Sequence, residues 1–80
     1  MIGVLDYKYC NSKSVFETIN VITDNVRYVT KANQIKSVNK LIIPGVGSAK
    51  NTMNYIRTNG FEEEIKNFVE KGNLILGICL

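Results

Sequence analysis

Four short apolar, β-branched runs, at residues 2–5, 26–30, 41–43 and 74–78, constrain this chain more than any other feature, because a helical or polar stretch separates each from the next. Strands alternating with helices call for a parallel sheet with right-handed crossovers and helices packed on its faces. The first run, Ile2-Gly3-Val4-Leu5, is closed by Asp6 and suits a strand buried on both faces. The second, Val26-Arg27-Tyr28-Val29-Thr30, has the β-branched and aromatic content of a strand. The third, Leu41-Ile42-Ile43, stops at Pro44, which cannot donate to a ladder. Four strands and their connections make about half of a doubly wound α/β domain. The whole chain, 1–80, is therefore expected to be the N-terminal portion of one domain, its carboxyl-terminal strands absent. No helix follows the fourth run, so one sheet face is expected to lack cover and the chain to be marginal or dependent on a partner.

Between the runs, Ser14-Val15-Phe16-Glu17 has the spacing of a capping box, and Val15, Phe16, Ile19 and Ile22 recur at helical intervals. They predict a helix of about three turns, broken by Asn25. Residues 31–39 are polar with isolated Ile35 and Val38, and read as a short helical turn or loop. Ala49, Met53 and Ile56 share one face of a further helix, closed by Gly60 as its C′ residue. Phe61, Ile65, Phe68 and Val69 form the stripe of the next, with Glu62 and Lys66 paired outside and Gly72 as its stop. Glu62-Glu63-Glu64 falls in the first turn of that helix, where carboxylates favour the positive end of the dipole.

Composition excludes several classes. Eighty residues, 45% hydrophobic and 21% charged with one proline, make a globular rather than a disordered chain. Ten basic residues against seven acidic ones give +3, but the lysines are scattered instead of forming the stripe that nucleic-acid binding needs. No segment has the charged start and apolar core of a signal peptide, and none approaches the ~18 apolar residues of a membrane span. A cytoplasmic protein with reduced thiols is expected, without nucleic-acid or membrane partners. Cys10 and Cys79 are far apart in sequence and there is no histidine, so no metal site is expected from this chain.

The chemistry concentrates after the third and fourth runs. Gly77-Ile78-Cys79-Leu80 places a thiol just past an apolar strand, where a strand-to-helix elbow can present a nucleophile and the N–H of the next residue can face an oxyanion. A helix N-terminus there would lower the thiol pKa. The competing reading is a cysteine that serves only as a buried hydrophobe. Pro44-Gly45-Val46-Gly47 leaves the carboxyl end of the third strand, the edge where ligands bind in such sheets, and its two glycines can turn N–H groups toward an oxyanion. The third and fourth strands are expected to be neighbours, bringing this loop toward Cys79. An ordinary tight turn is its alternative. On the same edge, Asn11, Ser12 and Ser14 suit either a phosphate at a helix start or plain capping, and Asp6 reads as a strand-end or capping carboxylate.

Taken in order, these pieces resemble the N-terminal half of a class I, triad-type glutamine amidotransferase, most like the glutaminase subunits of imidazole glycerol phosphate synthase. Those proteins carry Asp-Tyr-Gly-x-Gly-Asn then Ser-Val after the first strand, Pro-Gly-Val-Gly after the third and Gly-Ile-Cys-Leu-Gly after the fourth. Here Asp6-Tyr7-Lys8-Tyr9-Cys10-Asn11 with Ser14-Val15, Pro44-Gly45-Val46-Gly47 and Gly77-Ile78-Cys79-Leu80 stand at those places. The resemblance implies a flavodoxin-like doubly wound sheet and a Cys79 nucleophile that forms a γ-glutamyl thioester from glutamine, with ammonia leaving. It implies oxyanion donors at Val46 and Leu80, within a substrate-binding loop that includes Gly45 and Gly47. It also implies Asn11 on the edge facing a (β/α)₈ cyclase subunit that receives the ammonia in histidine biosynthesis, and no metal or organic cofactor. The family's catalytic His and Glu fall in the C-terminal half, so residues 1–80 alone are expected to be inactive.

Lys8 and Cys10 stand where the family has glycines, which leaves open a paralogue that feeds ammonia to a sugar-modifying synthase for surface polysaccharide. From another class, a flavodoxin-like module could hold the phosphate of flavin mononucleotide on Asn11, Ser12 and Ser14, with Cys79 inert. A phosphoacceptor receiver fits worse, for the paired acids it needs after the first strand are absent and Pro44 stands where its aspartate would be.

Overall fold

The computed structural model describes residues 1–7, 10–45 and 49–78. In chain order the elements are β1 (Ile2–Leu5), α1 (Ser12–Ile22), β2 (Val26–Val29), a 3₁₀ turn (Ala32–Ser37), β3 (Lys40–Pro44), α2 (Ala49–Thr58), α3 (Phe61–Glu70) and β4 (Leu74–Ile78). The strands form one sheet in the order β2-β1-β3-β4, every neighbouring pair parallel. This is the α/β architecture that the alternating runs predict, and β3 and β4 are neighbours as expected. The chain steps outward from β1 to β2 and then returns across β1 to β3, so the topological switch point lies between β1 and β3.

One face carries the core. Leu5, Val29 and Leu41 are buried there with Ile35 and Val38 of the 3₁₀ turn and with Ile56, Phe61 and Phe68 of α2 and α3, while Ile43 and Ile75 pack against them. Side chains alternate along a strand, so Ile42 faces the other way. There it lines a shallow groove of about 290 Å³ with Val15 and Ile19 of α1 and with Leu76. Helix α1 therefore lies across the sheet from α2 and α3.

Gly3 explains how closely the 3₁₀ turn approaches the sheet: a Cβ at this position would lie 2.8 Å from Cγ2 of Val29 and 3.0 Å from Cγ2 of Val38. Gly3→Ala should cost about 1–3 kcal/mol through overpacking, read as a lower urea midpoint with an unchanged slope. Gly60 (φ 77°) and Gly72 (φ 86°) close α2 and α3 in the left-handed region, as their positions after the helical stripes predict.

Several details depart from expectation. Helix α1 starts at Ser12, and its Asn11 cap makes no side-chain hydrogen bond. No capping box forms at Ser14; instead the Ser12 hydroxyl donates to Oδ1 of Asp6 at 2.6 Å, tying the helix start to the end of β1. Ile22, part of the apolar repeat of α1, is 83% exposed. On α2 the inward side is Ile56 with the half-buried Thr52 and Tyr55, and Met53 is turned out. Ile35 and Val38 are not isolated: the three-residue period of a 3₁₀ turn places both on the core side. The ion pairs among the described residues are Lys13–Glu17 at 4.0 Å and Lys36–Glu64 at 3.5 Å, the latter joining the 3₁₀ turn to α3, and Glu62–Lys66 is not among them. Val69, at the margin of the α3 stripe, is also exposed.

Strand β4 is half covered. Ile75 meets the core, but Leu74 and Leu76 on the α1 face are 66% and 57% exposed. The groove between Val15 and Leu76 continues into a second of about 320 Å³ beside Ile2, Ile42 and Leu74. The uncovered face expected from the sequence is present at this end of the sheet. Among the described residues no helix is long and apolar enough to cross a membrane.

Candidate active site

The carboxyl edge of the sheet gathers the residues of interest, because every strand runs the same way and ends there. The β1–β3 register ends at Val4↔Ile42, so Pro44 lies past its last rung and its missing N–H costs that ladder nothing. On the other side β3 stays paired to its end, with Pro44 opposite Ile78. Gly45, half-buried, is the next residue after that rung on one strand, and Cys79 is the next in sequence on the other. Cys79, Leu80, Val46 and Gly47 themselves lie outside the described residues.

The loop after β1 reaches across the switch point. Tyr7 is buried, and its hydroxyl donates to the Pro44 carbonyl at 3.1 Å, with Oγ1 of Thr52 also at 3.1 Å. The Tyr7 ring stacks on Tyr55 with centroids 5.1 Å apart, and Tyr55 stacks on Phe61 at 5.7 Å. An aromatic row thus runs from the core to the sheet edge. Burial pushes the Tyr7 phenol above its ordinary pKa, with the Thr52 hydrogen bond opposing and nearby Cys10 adding to the rise. The hydroxyl remains a neutral donor at physiological pH.

Cys10 folds its own loop. Its thiol donates to the carbonyls of Tyr7 at 3.3 Å and Leu5 at 3.6 Å, while the Tyr7 N–H points to Sγ at 3.5 Å. The thiol thus serves the backbone at a position where the resembling family has glycine. Asn11 follows it, exposed at the start of α1 on this same edge. The Asp6 carboxylate sits beside it, holding Ser12. A fixed carboxylate at a helix start repels a phosphate, so this corner is a poor cradle for a nucleotide.

Of the residues singled out from the sequence, Gly45 and Asn11 are both found at the carboxyl edge. Among the described residues, a Cβ at Gly77 would meet nothing within 4 Å. Tyr7, Thr52 and Tyr55 were not singled out. The signal available for the latter pair is their i, i+3 spacing on α2, which places both on the side turned toward Tyr7.

Comparison with known proteins bears on this geometry. The family model of the CobB/CobQ-like glutamine amidotransferase domain matches residues 2–79. The chain is 38% identical over 80 residues to imidazole glycerol phosphate synthase subunit HisH of Caldanaerobacter subterraneus subsp. tengcongensis, covering 100% of this chain and 39% of that protein. It is 37% identical over 79 residues to the subunit of the same name from Prochlorococcus marinus strain MIT 9211, covering 99% of this chain and 37% of that one. Against the Rhodopirellula baltica subunit the identity is 35% over 80 residues, with 100% and 39% covered. The chain thus spans well under half the length of these curated relatives. With one family model matching from residue 2 to residue 79, the chain belongs to the CobB/CobQ-like glutamine amidotransferase domain family.

Proposed function

We propose that these residues form the nucleophile-bearing part of the glutaminase subunit of imidazole glycerol phosphate synthase, a cytoplasmic heterodimer that supplies ammonia for histidine biosynthesis. In this reading Cys79, as its thiolate, attacks the γ-carboxamide carbon of glutamine. The carbon–nitrogen bond breaks, ammonia leaves with the proton it gains, and a γ-glutamyl thioester remains. The N–H groups of Val46 and Leu80 stabilise the tetrahedral oxyanion, and Gly45 and Gly47 give the loop the freedom to aim them. Asn11 belongs to the edge that meets the cyclase, a (β/α)₈ subunit receiving the ammonia. The chain contains no histidine, so the group that takes the thiol proton comes from outside these residues. The domain is the N-terminal portion of one such amidotransferase.

The observation that supports this most is the rung between Pro44 and Ile78. It gives the Pro-Gly-Val-Gly loop and the Cys79 segment adjacent points of departure on the ligand-binding edge. The flavin-module alternative is disfavoured by the Asp6 carboxylate at the α1 start. The test is labelling with diazo-oxonorleucine, an electrophile that mimics glutamine, followed by peptide mapping. Cys79 should be modified and Cys10 spared, with excess glutamine protecting Cys79. Equal labelling of the two thiols, or no protection, would sink the assignment.

A further inference from the structure

We draw no further inference here: the strongest candidate, the apolar cleft between α1 and β4 lined by Val15, Ile19, Ile42 and Leu76, carries nothing, because nothing among the described residues shows what covers it.

Discussion

Phe61→Ala should leave the chain largely unfolded in buffer at room temperature, with its far-UV helical signal lost and no cooperative urea transition. Phe61 opens α3, is 1% exposed, and lies in the core with its ring stacked on Tyr55. Truncating a buried phenylalanine to alanine costs about 3–5 kcal/mol in lost transfer energy and residual cavity. Native stability of about 0.05–0.15 kcal/mol per residue gives this chain a total of about 4–12 kcal/mol. The uncovered leucines of β4 place it toward the low end of that range, so one core truncation removes most of the margin. Phe16→Ala is the natural control. That ring also stacks, on Tyr28 with centroids 4.2 Å apart, but it is half-buried and outside the core cluster. Its removal should cost no more than about 1–1.5 kcal/mol. If Phe61→Ala melted like Phe16→Ala, the core would not lie where the α2–α3 face places it.

The p-nitrophenyl γ-ester of glutamate, an activated analogue of glutamine, should acylate Cys79 in a burst with no turnover: one equivalent of p-nitrophenolate per chain, then a plateau. Attack on an activated ester needs only a thiolate and an oxyanion pocket, whereas hydrolysis of the thioester requires a base to activate water. General-base assistance is worth about 10²–10⁴-fold, and the chain has no histidine to provide it. The carboxylate nearest in sequence to the first loop, Asp6, is engaged with Ser12. Mass spectrometry of the plateau species should find the γ-glutamyl group on Cys79, and Cys79→Ala should abolish the burst. Steady release beyond one equivalent that disappears in Cys79→Ala would reveal a base among these residues and refute the division of labour proposed for them.

The fold was legible because its signals are local. Four apolar runs announce four strands: β1 and β4 have the expected bounds, β2 is one residue shorter, and β3 extends by Lys40 and Pro44. Gly60 and Gly72 stand where the helical stripes end because only glycine adopts positive φ there without strain. What was hidden depends on partners distant in sequence. Ser12 ends up buried because Asp6 accepts from it, overriding the capping-box spacing at Ser14. Met53 faces outward because the aromatic row to Tyr7 claims the Tyr55 side of α2, a preference invisible in helical periodicity. At the candidate site, the motif residues Gly45 and Asn11 were readable as residue types at strand and helix ends. The Tyr7–Pro44 bond was not, since neither periodicity nor spacing links positions 37 residues apart.

The half-dressed β4 also governs how this polypeptide behaves in a crowded solution. Its outer side pairs with no strand of the described sheet, and Leu74-Ile75-Leu76-Gly77-Ile78 contains no charge and no proline, the devices by which outermost strands ordinarily deter recruitment of neighbours. Two protruding leucines beside it add stickiness to an available ribbon of amides. Clumping would therefore begin from the folded molecule at that border, and rise with concentration well below the melting temperature.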